Sequence, residues 1–523
     1  MVVDTPAEGE ERDTSGELGS PSPRFDSPRK LVPRLSVVTR LSRDKDDTAA
    51  GCAAEVAAGG REARRGRVAV LYGAWWLALG LLIATAAAAA VLARRCGPCS
   101  ALWSTVVPEA AGGERPFSLS LAGSALAVSF RAPPAPALAW GASPGRLNRV
   151  AFPQTGWVVD RASEPDTVSS PTSAHAVPPQ QLTTVLLAPR PGEPRRVSFT
   201  LPGGDTAREA PVWSVPLPPL PGDDASPLVL ALVGDLGSSP ESARTVARMA
   251  GALPRPHAAL LLGDLAYAEK AGAGDCGRTR SAWRDWDALA APLLSTVPTL
   301  AVRGNHDRFG GCEALDGSNG FAELASRFPA QPLAWWSLSA GAAHIIGLSS
   351  SDDVAPGSAQ RAWLEENLAR VDRRATPWLI LLWHVSWHHS SERHKPPTSM
   401  MAALEPLMLL HGVDVVFAAH VHTFERTVPM SHGQPDPCGP VYITVGTGGN
   451  WGAGAHEWAA GPPPVFTAAR ARDSGHGSLA VTRASMTWRF HANDAPPGAA
   501  ADEAVFVKPD AARCPTRGGV RVK

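Results

Sequence analysis

Residues 413–427 read VDVVFAAHVHTFERT. Val413, Val415, Val416 and Phe417 are β-branched or aromatic, the types that fit a pleated surface, so the run predicts a short buried strand. It ends on two histidines, His420 and His422, separated by one valine. Residues two apart on an extended chain point to the same side, so both imidazoles are expected to face one place. An isolated pair of this kind has two readings: polar side chains satisfied at a strand end, or two ligands for metal. The second reading needs carboxylates and further histidines at neighbouring strand ends.

The chain upstream supplies them. From residue 227 strands alternate with helical stretches: PLVLALVGD is followed by SPESARTVARMA, AALLLGD by WRDWDALAAPLL, then TLAVRGN, SAQRAWLEENLARV, PWLILLWH and SMMAALEPLMLLHG. This is an α/β order, and in such sheets ligands gather beyond the carboxyl ends of the strands. Those ends hold Asp235 in GDLG, Asp264 and Tyr267 in GDLAY, Asn305 and His306 in GNHD, and His384 in LLWH. One Gly-Asp end is commonplace and usually caps a helix; the whole series is not. The chain has only three tyrosines, Tyr72, Tyr267 and Tyr442, so one inside the series points to a role there. Together the ends offer donors enough for two metals sharing a bridging carboxylate, with His420 and His422 on different ions.

The rest of the 523 residues bounds the setting. Lys+Arg 49 balances Asp+Glu 49, so bulk charge points to no nucleic-acid partner. Residues 1–66 are rich in Pro, Ser, Gly, Asp and Arg and read as a disordered tail. Residues 68–93, VAVLYGAWWLALGLLIATAAAAAVLA, carry no charge. As a helix they would extend about 39 Å, more than the roughly 30 Å of bilayer hydrocarbon, which predicts one transmembrane helix. Arg61, Arg64, Arg65 and Arg67 precede it, whereas Arg94 and Arg95 follow. That bias places the N-terminus in the cytoplasm and the remainder outside or in a lumen; cleavage after AVLA and secretion is the alternative. Beyond the span Cys96, Cys99, Cys276, Cys312, Cys438 and Cys514 form an even set, as suits disulfides in an oxidising compartment. CGPC at 96–99 resembles a redox dithiol but lacks a βαβ frame. No N-x-[ST] sequon occurs, so N-glycosylation is not expected.

Residues 115–220 hold short alternating runs (FSLSLAG, ALAVSFRA, TTVLLAPR, RRVSFTLP) separated by Pro, Gly and Asp, a pattern that predicts a small β-sandwich. No acid, base or nucleophile cluster stands out there. The expected organisation is therefore tail, membrane helix, β-sandwich and an α/β domain over 227–510.

At this point the sequence resembles the purple acid phosphatases among the calcineurin-like metallophosphoesterases. That family's blocks G-D-x-G, G-D-x-x-Y, G-N-H-[DE], V-x-x-H and G-H-x-H stand here as GDLG, GDLAY, GNHD, LLWH and AHVH, in the same order, with TFERT like the family's aromatic-Glu-Arg continuation. The resemblance runs from near 115 through VYITVGTGGN to GHGSLAVTRASMTWRFHAND. It implies a metallophosphoesterase fold of two central sheets flanked by helices, preceded by a fibronectin-like β-sandwich. Carried over block by block, it implies that Asp235, Tyr267 and His422 hold Fe(III). Asn305, His384 and His420 would hold a divalent ion (Fe, Zn or Mn), with Asp264 bridging. Phenolate and carboxylate suit a trivalent ion, and imidazole and amide oxygen a divalent one.

Some positions depart from the family pattern. Ala419 stands for the glycine before the paired histidines, adding a methyl near the metals; Leu381 replaces valine; Thr447 stands where many plant members have aspartate. In HVSWHHSSERHKPPTSM, His394 is the best match to the family's substrate-side histidine, whereas His388 and His389 are expected at the surface. The implied activity is hydrolysis of small phosphate monoesters by in-line attack of a metal-activated water. His306 and His394 are the expected catalytic side chains, His306 reaching substrate oxygens or protonating the leaving group, or else orienting a ligand. A phosphodiesterase or nucleotide pyrophosphohydrolase on the same centre is an alternative. A membrane-anchored binding protein with a relic phosphatase domain is another.

Overall fold

The apolar run of residues 228–233 shows how the α/β domain is assembled. In the strand Leu228–Val233 every side chain but Val229 is buried, and alternate residues enter different cores. Leu228, Leu230 and Leu232 face a layer shared with Ile380, Leu382, Phe417 and Ile443, while Ala231 and Val233 face Val246, Met249, Trp283 and Trp286. A strand covered on both faces needs a continuous apolar sequence, and this one has it. The strand Trp378–Val385 is built alike: Leu379, Leu381 and Trp383 pack beneath Leu364, Leu404 and Met408.

The computed structural model describes residues 117–509 except 123, 132–137, 144–148, 152–153, 156–181, 191, 201–211, 273, 309–320, 329–334 and 451–457, together with Cys514 and 521–522. The expected tail of 1–66, the apolar span of 68–93 and the CGPC motif lie outside the described residues. Among the described residues no helix is long and apolar enough to cross a membrane.

Two seven-stranded mixed sheets stack on the shared layer. The first runs in the order Thr299–Ala301, Ala258–Leu261, Leu228–Val233, Gly475–Val481, Ser485–Ala492, Asp502–Val507, Arg521–Val522. The second runs Trp336–Ala340, Ala343–Gly347, Trp378–Val385, Val415–Ala419, Val441–Val445, Phe424–Thr427, Thr467–Ala471. Thr299–Ala301, Ala258–Leu261 and Leu228–Val233 are mutually parallel, and so are Trp378–Val385 and Val415–Ala419, which gathers five carboxyl ends along one edge. Helices cover the outer faces. Pro240–Ala250 starts on a capping box between Ser239 and Ser242 with Pro240 in its first turn. Cys276–Leu294 starts on Asp275, whose carboxylate accepts from Arg278 N.

Before this domain, two four-stranded sheets with strand orders Phe117–Ala122, Ala125–Arg131, Leu182–Leu187, Gln154–Thr155 and Arg149–Ala151, Leu138–Gly141, Arg196–Thr200, Val212–Pro216 form the sandwich. Ser120 Oγ donates to Thr299 O at 2.8 Å, joining the sandwich to the edge of the first large sheet. Cys438 and Cys514 form a disulfide that closes a loop of 76 residues. In the chain-entropy account a loop of that size stabilises by about 4 kcal/mol.

Between the sheets Trp488 lies over Gly477, where a Cβ would fall 1.9 Å from its ring, and it packs on Phe417 and Phe424 at ring distances of 5.3 and 6.2 Å. Trp488→Ala is expected to cost about 3–5 kcal/mol, and Trp488→Phe distinctly less. Urea unfolding of the two variants checks the order.

Candidate metal centre

The predicted metal donors stand at the end of a strand or within a few residues past it, and the backbone at several of them is unusual. Asp235, Asp264, Tyr267 and His420 have φ of 56°, 55°, 51° and 70°. Side-chain-bearing residues rarely adopt this left-handed region, least of all tyrosine, and it costs of order 1 kcal/mol or more each. His420 corrects the extended-chain expectation. The strand ends at Ala419, and the two histidines reach the site from a turn, not from alternate positions on a strand.

The side chains form two adjoining groups. In one, Tyr267 Oη donates to Asp235 Oδ1 at 2.8 Å and lies 2.9 Å from His422 Nε2; Asp235 Oδ1 and His422 Nε2 are 3.4 Å apart. In the other, His384 Nε2 lies 3.1 Å from Asn305 Oδ1, 3.2 Å from His420 Nδ1 and 3.2 Å from Asp264 Oδ2. Asp264, His384 and His420 form a set whose candidate donor atoms all lie within 4.8 Å of one another. Asp235, Asp264 and His384 are buried, whereas Asn305 is exposed at the mouth.

These contacts fit cations better than hydrogen bonds. His384 Nδ1 donates to Leu262 O at 2.8 Å, which places a proton on Nδ1 and, in the neutral ring that a metal ligand must be, leaves the lone pair on Nε2. Amide, imidazole and carboxylate acceptors then crowd that lone pair, and among the described residues none donates a hydrogen bond to Asp264 Oδ2. Acceptors pressed together in a dry interior repel unless positive charge lies among them. The electrostatics agree. Burial is the largest influence and opposes a charged His384, yet Asp264, Asp235 and the Leu262 carbonyl together push the imidazole up to about 10, so the surroundings draw positive charge to this point. Burial opposes ionised Asp235 too, but His422, His384 and His420 hold its carboxyl well below the usual range. Burial, then Asp235 and Asp264, raise the Tyr267 phenol well above its ordinary value, so its ionisation requires a strongly cationic partner. The residue set suits two metal ions.

Neighbouring groups hold the donors in place. Gly304 has no room for a side chain, because a Cβ would lie 2.1 Å from Asp264 Oδ1. Asp307, the last residue of GNHD, is fully buried and accepts from Asp264 N at 2.9 Å, Leu265 N at 2.7 Å and Gly304 N at 2.7 Å. It fastens the loop after Ala258–Leu261 to the loop after Thr299–Ala301. Sequence reading passed over it, though its place in the motif was the available signal.

His306 sits beside the first group, its ring stacked on Tyr267 at 4.8 Å. Its backbone N donates to Asp264 Oδ1 at 2.7 Å, so the main chain, not the imidazole, orients that carboxylate. The imidazole Nδ1 pairs with Glu269, a residue the motif reading did not single out. His394 lies with its ring 4.8 Å from that of His420 and its Nδ1 3.0 Å from Ser391 Oγ. The expectation that His388 is at the surface is overturned: it is 7% exposed, packed on Tyr442 and Phe466 at 4.6 and 5.8 Å. His389 is partly buried, beside His394 at 6.3 Å. The extra methyl of Ala419 belongs to the layer between the sheets and packs against Gly234, where a Cβ would lie 2.3 Å away.

Asp307→Ala would leave three buried N–H groups without an acceptor. At about 1–3 kcal/mol for each such group, the loss should reach several kcal/mol and loosen both loops. Denaturant unfolding of wild type and variant, with elemental analysis for bound metal, checks both effects.

The calcineurin-like phosphoesterase family matches residues 228–424, and the iron/zinc purple acid phosphatase-like protein C family matches 439–503. Purple acid phosphatase 18 of Arabidopsis thaliana is 34% identical over 277 residues, 51% of this chain and 60% of that protein, so the chain spans less than two-thirds of that relative. Phosphoenolpyruvate phosphatase of Allium cepa is 33% identical over 56% of this chain and 62% of its own length. The purple acid phosphatase PPD1 from yellow lupin seeds superposes with a TM-score of 0.60 at 21% identity, covering 74% of this chain and 73% of that one, a likeness of fold. Probable purple acid phosphatase 20 of Arabidopsis thaliana is 32% identical over 327 residues, 60% of this chain and 71% of that protein; at that coverage, the chain belongs to the purple acid phosphatase family.

Proposed function

We propose that this chain uses the binuclear metal centre its family implies to hydrolyse small-molecule phosphate monoesters. In this reading Asp235, Tyr267 and His422 hold Fe(III); Asn305, His384 and His420 hold a divalent ion (Fe, Zn or Mn); and Asp264 lies between the two. The observation that carries it is the division of the donors into a phenol-carboxylate-imidazole group and an amide-diimidazole group, side by side. The Allium cepa relative is named for hydrolysis of a monoester, which supports the substrate class.

When bound, two such ions lower the pKa of a water and neutralise charge on the phosphoryl oxygens. The protein's own part is placement. Leu262 O fixes the tautomer of His384 and so directs Nε2 into the centre. Asp307 and the left-handed turns hold the donors at contact distance before any substrate arrives. That is the preorganisation that electrostatic catalysis depends on. Glu269 takes the hydrogen bond of His306 Nδ1 and sets the ring. Nε2 is then the atom that delivers a proton to the leaving oxygen. His394, across the mouth beside His420, is the second side chain placed to meet the ester.

A phenolate on ferric iron gives a visible charge-transfer band. Tyr267→Phe should abolish the band in metal-loaded protein while leaving the other donors. A colourless wild type with full metal occupancy would sink the ferric assignment, and faster turnover of a diester than of a monoester would favour the phosphodiesterase alternative.

His306→Ala should retain metal and lower kcat by on the order of 10²–10⁴-fold on alkyl esters. The loss should be smaller on an aryl phosphate, whose leaving group hardly needs a proton. Parallel kinetics on the two ester types, with metal content measured alongside, decide whether the ring transfers a proton or merely supports the site.

A further inference from the structure

A shallow recess opens beside His422, lined also by Thr447, Asn450, Arg472, Asp473 and Ser474. Arg472 is exposed, and its guanidinium lies 4.3 Å from the centroid of the Trp458 ring. Arg470 approaches the same ring at 4.0 Å. Trp458 is tied to the loop that carries His394: it forms a β-bridge with Ser391, and Ala459 N donates to Ser390 O at 2.9 Å. Among the described residues no carboxylate forms an ion pair with Arg472. Stacking on an aromatic face orients a guanidinium while leaving its in-plane N–H groups available.

We propose that Arg472, on the rim of this recess beside the metal donor His422, pairs with a second anionic group, a carboxylate or a further phosphate, on the leaving group of the ester. The inference rests on the monoester reading above and narrows it to substrates with two anionic ends. The geometry supports this in two ways. His422, one of the metal donors, and Arg472 line the same recess, which sets the guanidinium beside the centre. A guanidinium fork also matches carboxylate and phosphate oxygens in pairs. Asp473 lines the same recess and opposes an anion, so it limits the preference that Arg472 creates.

The test uses three phosphonates that the enzyme cannot hydrolyse, titrated into the metal-loaded full chain by calorimetry. Phosphonoacetate carries a carboxylate, methylenediphosphonate a second phosphorus acid, and ethylphosphonate neither. Wild type should bind the first two about five- to tenfold more tightly than the third at low salt, a ratio that shrinks as salt screens the exposed pair. Arg472→Gln should bring the ratio near one, Arg472→Lys should keep part of it, and Asp473→Asn should enlarge it. In turnover, Arg472→Gln should raise KM for phosphoglycolate several-fold more than KM for ethyl phosphate. An unchanged ratio in Arg472→Gln, as direct chelation of the centre by the second anion would give, overturns the assignment. Equal weakening of all three probes also overturns it, since Arg472 would then serve the phosphoryl end or the fold. A wild type that binds no phosphonate and hydrolyses no ester instead brings down the monoester reading itself, a result distinct from both.

Discussion

Three donor atoms, from Asn305, His420 and Asp264, meet around one buried atom, His384 Nε2, and the rest of the α/β domain is arranged so that they can. In a low dielectric the lone pairs of such a cluster repel one another unless positive charge lies among them, so their approach has to be imposed. The restraint comes from outside: a carbonyl behind His384, three backbone N–H groups gathered by Asp307, and left-handed turns at Asp235, Asp264, Tyr267 and His420. The parallel strands supply rigid anchors immediately upstream of every one of these turns. Fold and site are thus coupled in one direction, with the packed sheets absorbing the energetic cost of donors that would otherwise separate.

The strands were legible because their chemistry is local. Continuous apolar runs such as PLVLALVGD and PWLILLWH mark strands covered on both faces, and the polar residues that end them mark the site edge. What escaped the sequence depends on contacts between distant residues. Glu269 looks like an ordinary acidic residue in a helical first turn until His306, 37 positions later, folds onto it. Asp307 follows three conspicuous motif letters, but its task is defined by amides of Asp264 and Leu265 in another loop. His388 looks solvent-facing in a stretch of polar residues, yet Tyr442 from another strand and Phe466 from the turn before Thr467–Ala471 cover it. His420 shows the reverse case: both imidazoles do reach one place, but by a turn that alternation does not describe.

The second half of the opening stretch is as informative as its histidines. Phe424 stacks on Phe490 at 4.4 Å between the sheets, and Arg426 makes a two-pronged pair with Asp502 at 2.8 Å, joining the second sheet to the first. Thr427 accepts from Tyr442 N at 3.0 Å. The methyl at Ala419 is tolerated because Gly234 opposite it has none, so a departure from the family pattern is absorbed in the layer between the sheets.

Glu425, between Phe424 and Arg426, is 1% exposed and accepts from Ser390 N and Thr467 Oγ1, both at 2.6 Å, and from Ser390 Oγ. One carboxylate therefore splices the loop carrying His394 to the strand that leads to Arg470 and Arg472. The two banks of the cleft are mechanically a single part. Natural variation cannot widen one bank alone without cutting that splice, so changes in substrate fit should come in correlated sets across the 388–394 loop and the 467–474 segment, with Glu425 as the hinge pin between them.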